Sequence, residues 1–86
     1  MTQTINEPVK VRLDIDSKEQ IVSLHRIRWN NRIYTVQEVG LKYTIRNGRK
    51  MVHVFCVNVG TLDMRLHIDA DTLHTVLVEI SDGLAD

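Results

Sequence analysis

The chain holds one cysteine, Cys56, among its 86 residues, which excludes an intrachain disulfide. No apolar run approaches the roughly 20 residues that carry a helix across a bilayer, so no membrane partner is expected. Glycine is scarce: Gly40, Gly48, Gly60 and Gly83 are scattered at expected turns and ends. None belongs to G-x-x-x-x-G-K, G-x-G-x-x-G or G-x-S-x-G, which removes the phosphate loop, the dinucleotide loop and the nucleophile elbow. Aromatic residues number four, Trp29, Tyr34, Tyr43 and Phe55. All four fall on strand faces read below as core, leaving no stacking platform for unpaired bases. The stretch from Met1 to Glu7 has neither the basic start nor the apolar middle of a signal peptide. With one thiol and no leader pattern, the expected location is the cytoplasm.

What is present is the composition of an ordinary globular chain, 43% hydrophobic and 26% charged. A chain this short supports one core, so residues 1–86 read as a single domain, with 1–7 and 82–86 expected to fray. Small domains bury only about 60–65% of the surface of the unfolded chain, which makes a dimer interface a natural addition. Net charge is zero but unevenly spread. Between His25 and Lys50, seven basic residues face Glu38 alone. From Met51 onward Arg65 alone opposes six carboxylates. Such asymmetry marks either an acidic partner or two oppositely charged strand layers.

Alternation with period two runs through most of the chain. Val9, Val11, Leu13 and Ile15 alternate with Lys10, Arg12 and Asp14, and Pro8 stands just before them. Ser17-Lys18-Glu19-Gln20 has capping-box spacing, so a short helical turn near 17–24 competes with a strand leading to Trp29. Trp29-Asn30-Asn31-Arg32 reads as a hairpin turn, because asparagine tolerates positive φ. That register sets Ile27 opposite Tyr34 and places Arg26, Arg28 and Thr35 on the far face. Asn47-Gly48 predicts a second hairpin, with Arg46 opposite Arg49, Tyr43 opposite Val52 and Leu41 opposite Val54. Leu41, Tyr43, Val52, Val54 and Cys56 then share one face, while Met51, Phe55, Val57 and Val59 line the other. A strand apolar on both sides is central or covered. Leu62 to Ile68 and Leu73 to Ile80 form the closing pair, with Leu62 expected opposite Val78 and Met64 opposite Val76.

Trp29-Asn30-Asn31-Arg32-Ile33-Tyr34-Thr35-Val36 resembles the W-x-G-R-x-Y-x-V hairpin of a bacterial family of small, uncharacterised all-β domains. Met64-Arg65-Leu66, the Asp69–Asp71 turn and Leu77 to Asp82 are similar to that family's ending. Asn31 stands where the family has its turn glycine, and the last strand has no tryptophan. The resemblance covers roughly residues 25–82 and implies a β fold without assigning an activity.

The residues that could carry chemistry are sparse. His25, His53, His67, His74 and Cys56 show no zinc-ligand spacing. His53 and Cys56, three apart on one strand, point to opposite faces. Cys56 sits between Phe55 and Val57 and reads as a small buried hydrophobe rather than a nucleophile. His25, on the Trp29–Tyr34 face, reads as a hydrogen-bonded core histidine. Asp69-Ala70-Asp71 lacks the rest of a calcium loop. No catalytic residue, metal, cofactor or small-molecule substrate is expected, and the chain does not read as an enzyme.

These features predict an all-β fold, a small antiparallel sheet of six to seven strands closed as a barrel or folded as a compact sandwich. They favour a non-catalytic protein-interaction module. Met51, Phe55, Val57 and Val59 form the candidate self-association face, with a protein partner or a second copy as occupant. The alternative is a small β-barrel binding RNA or DNA, or another acidic partner, through Arg26, Arg28, Arg46, Arg49 and Lys50.

Overall fold

The computed structural model describes residues 1–16 and 21–82, with only the backbone of residues 21 and 22. The segment weighed as a helical turn, 17–24, lies partly outside the described residues, and its described part is strand. Eight strands follow one another: β1 (Thr2–Pro8), β2 (Lys10–Ile15), β3 (Ile21–Trp29), β4 (Arg32–Thr35), β5 (Glu38–Asn47), β6 (Lys50–Asn58), β7 (Asp63–Asp69) and β8 (Thr75–Ser81). They form two antiparallel sheets, one of five strands in the order β1-β8-β7-β6-β5 and one of three in the order β2-β3-β4. Neither sheet closes on itself as a barrel.

One core joins the sheets. Leu24 and Ile27 of the small sheet meet Phe55, Val57, Met64, Leu66, Ile68 and Leu77 of the large one. We call this the inner face of the five-stranded sheet. The chain crosses between sheets at Val9, whose amide donates to the Thr75 carbonyl at 3.0 Å. Trp29 and Tyr34 flank the core with ring centroids 6.1 Å apart, and the Trp29 indole donates to Glu7 Oε1 at 3.1 Å.

The eighth strand is β1, drawn from residues expected to fray. Its sequence has little apolar alternation, and its order comes from pairing with the free edge of β8. Pro8 closes this edge strand, where a missing N–H breaks no ladder bond. The segment 83–86 lies outside the described residues. Asp82 is the last one described, and the amino terminus stands 3.1 Å from its carboxylate.

The Trp29–Arg32 hairpin has the expected register. Asn30 and Asn31 take φ of 54° and 62°, and Ile27 pairs with Tyr34. The second hairpin differs. Its turn is Gly48-Arg49, with Gly48 at φ 66°, so Asn47 pairs with Lys50, Tyr43 with Val54 and Leu41 with Cys56. Glycine at the first turn position is the II′ solution, which displaces the pairing by two and leaves every side chain on its expected face. The β7–β8 register also differs: Met64 pairs with Ile80, Leu66 with Leu77 and His67 with Val76. Asp69 reorganises that connection, its Oδ1 accepting from the amides of Asp71 at 2.8 Å and Thr72 at 3.1 Å. These two amides hold the Asp69 carboxyl below its ordinary pKa.

Candidate interaction surfaces

The sequence leaves one decision open: which side of β6 faces the core. Phe55 and Val57, offered above as part of a self-association face, are 1% and 2% exposed beneath the three-stranded sheet. They are core residues in the folded chain. Val59 is partly buried against the same core, and only Met51 of that set is exposed. The small sheet supplies the cover that sequence reasoning could not assign.

The other side of the five-stranded sheet, its outer face, has no second layer among the described residues. Cross-strand pairing sets Tyr43, Val54 and His67 in one row and Leu41, Cys56 and Arg65 in the next. Val54 is fully buried by its neighbours, so the row is well packed in its middle. Its margin on β5 is not: Leu41 is 60% and Tyr43 44% exposed, and Ile45 is exposed too. Every residue of β5 is exposed, and β5 is an edge strand. On the inner side of this edge the Lys42 ammonium lies 5.6 Å from the centroid of the Phe55 ring. That contact shields the core where the small sheet ends.

Beside β5 the outer face hollows into an open cleft of about 530 Å³, lined among others by Leu41, Cys56, Arg65 and Glu79. Arg65 and Glu79 pair at 2.9 Å. Cys56, beside the guanidinium, and Glu79 keep Arg65 firmly protonated. Cys56 is half-buried, not enclosed.

The histidines do not converge. His25 was expected on the core face. An extra residue in β3, between the pairs Arg12–Arg26 and Leu13–Leu24, turns it outward instead. Its Nε2 lies 2.7 Å from Asp14 Oδ2 and 3.1 Å from Ser23 Oγ. This hydrogen bond with His25 lowers the Asp14 pKa. His53 Nδ1 meets Thr44 Oγ1 at 3.2 Å. His67 sits half-buried on the outer face, its pKa lowered by burial and by Arg65. His74 is exposed in the β7–β8 connection. Among the described residues no three His, Cys, Asp or Glu side chains are grouped as metal ligands.

The five basic residues singled out above do not make one patch. Arg26 and Arg28 project from the outward face of the three-stranded sheet. Arg46 pairs with Met51 on the large sheet, while Arg49 and Lys50 belong to the turn of the β5–β6 hairpin. Sequence reasoning missed the partners of Arg26 and Arg28, which are Lys10 and Arg12 on β2. Their alternation with Val9, Val11 and Leu13 was a visible signal, but only the β2–β3 pairing brings the two sets together.

Comparison of the chain with protein-family models, curated proteins and solved structures gave no match. No helix among the described residues is long and apolar enough to cross a membrane.

Proposed function

We propose that this chain, a compact two-layer β-sandwich, is a non-catalytic interaction module that pairs with a second copy of itself through β5. The observation that carries the reading is the exposure of Leu41, Tyr43 and Ile45 in a row on an unpaired edge strand. An edge strand offers open N–H and C=O groups, and proteins usually blunt such edges with charge or prolines. Here the outer side of the edge is apolar. A two-fold axis through Tyr43 sets the same strand antiparallel to its copy, an isologous arrangement. Leu41 of one copy then faces Ile45 of the other, and Tyr43 faces Tyr43. Lys42 faces Thr44, so no like charges stand directly opposite. The two outer faces merge into one continuous surface whose centre, along the paired β5 strands, is apolar.

Sedimentation velocity from low micromolar to millimolar concentration tests this reading. The wild-type chain is expected to shift from monomer to dimer. Tyr43→Glu, which sets two carboxylates across the axis, is expected to weaken pairing about a hundredfold, or ~2.8 kcal/mol. The melting temperature of the monomer should hardly move, because Tyr43 lies on the surface. A wild-type chain that stays monomeric at millimolar concentration refutes the proposal.

A further inference from the structure

The outward face of the three-stranded sheet carries a second, independent surface. Lys10 stands directly across from Arg28, and Arg12 directly across from Arg26. All four side chains are exposed. None is ion-paired among the described residues. Alternate residues on a strand are about 6.6–6.8 Å apart and neighbouring strands about 4.8 Å, so four cations occupy a footprint of roughly 7 by 5 Å at their backbones. Like charges directly opposite on a sheet face weaken the sheet. This face contains two such pairs side by side. The adjacent carboxylate, Asp14, lies 2.7 Å from His25 and also feels the charge of Arg12, so it bounds the patch and offsets part of its Arg12 side.

We propose that Lys10, Arg12, Arg26 and Arg28 form a phosphate-binding face that holds the backbone of a polynucleotide. Three features favour a polynucleotide over an acidic peptide. Its charges recur at every nucleotide, whereas a peptide must crowd carboxylates to match this density. Three of the four cations are arginines, whose planar fork donates to two phosphate oxygens at a time. Ile33, 66% exposed, lies directly across from Arg28 and gives a sugar or base an apolar contact beside the charges. The face has no exposed aromatic ring, so the grip is on the backbone and carries little sequence preference.

The test is fluorescence anisotropy with labelled single-stranded and duplex 20-mers, titrated between 50 and 200 mM salt. If all four cations engage, the log–log salt slope is about −2.8 on single strands and about −3.6 on duplex. Arg26→Glu is the informative variant, because it replaces a like-charge pair with an opposite-charge pair across from Arg12. It should lower affinity at least tenfold while leaving the melting temperature equal to or above that of the wild type. An affinity loss with a lowered melting temperature would instead mean damaged structure; Arg28→Gln, which only deletes charge, must then lower affinity alone for the proposal to stand. No binding at 50 mM salt, binding unchanged in both variants, or equal affinity for polyglutamate each overturns it. The readout is independent of dimerisation when Tyr43→Glu is used as the background.

Discussion

Leu66→Ala is expected to lower the melting temperature by about 15–20 °C, whereas Leu41→Ala should change it by less than about 3 °C. Leu66 lies on β7, the middle strand of the large sheet, with Phe55 and Leu77 as its lateral neighbours. All three are essentially inaccessible to solvent, and Ile27 belongs to the same core. Truncating such a leucine removes its transfer energy and leaves a cavity, together worth about 2–5 kcal/mol. Neighbours fixed in register on both flanks limit collapse, which favours the middle of that range, about 3 kcal/mol. An 86-residue domain unfolds with an entropy of about 0.18 kcal/mol/K, so 3 kcal/mol corresponds to about 17 °C. Leu41 is on the opposite face and mostly in water, where truncation costs within about 0.5 kcal/mol. Far-UV circular dichroism at sub-micromolar protein keeps self-association out of the comparison. Comparable losses from the two substitutions would refute the assignment of the core to the inner face.

Three smaller perturbations probe a turn, a bulge and the acid limb. Gly48→Ala places a side chain at φ 66° with open space around it, so the cost is backbone strain alone, about 1–2 kcal/mol or about 5–10 °C. Gly40→Ala, where the new carbon meets only the Cys56 carbonyl oxygen at an ordinary 3.5 Å, should be close to neutral by the same melt. Burial and Arg65 depress His67, opposed by Glu79. The unfolded chain therefore takes up this proton first, near pH 6.5. Stability is full above that pH and falls as pH drops toward the folded value; denaturant melts of His67→Gln should lack this limb, and an unchanged limb would assign it to another group.

The parts of the fold legible in the sequence are those fixed by neighbours along the chain. Asn30-Asn31 sits at its own turn, so the pairing of Ile27 with Tyr34 could be read directly. The side-chain faces of β5 and β6 could also be read, because a shift of two residues preserves them. Three kinds of feature escaped. The extra residues at His25, Gly40 and Val78 interrupt period two, and nothing in local hydropathy marks them. Asp69 rebuilds the β7–β8 connection with its side chain, a choice that competes with tighter turns of similar composition. The cover over Phe55 and Val57 is a long-range fact: an apolar face looks the same whether its partner is another sheet of the chain or another molecule. For the same reason Arg26 and Arg28 were visible as cations, but their convergence with Lys10 and Arg12 was not.

The pairing of β1 with β8 joins residues as far apart as Thr2 and Ser81. Closing a chain segment of that length costs more entropy than forming the β3–β4 or β5–β6 hairpin, whose turns span two residues. Contacts of large sequence separation are also the slow ones to form. The hairpins and the shared core therefore assemble first, and β1 docks last onto an already formed β8. Until it does, β8 is a second open edge, and the folding molecule is briefly able to pair at both ends of its five-stranded sheet. Aggregation during refolding should then track the rate at which the first eight residues find their place.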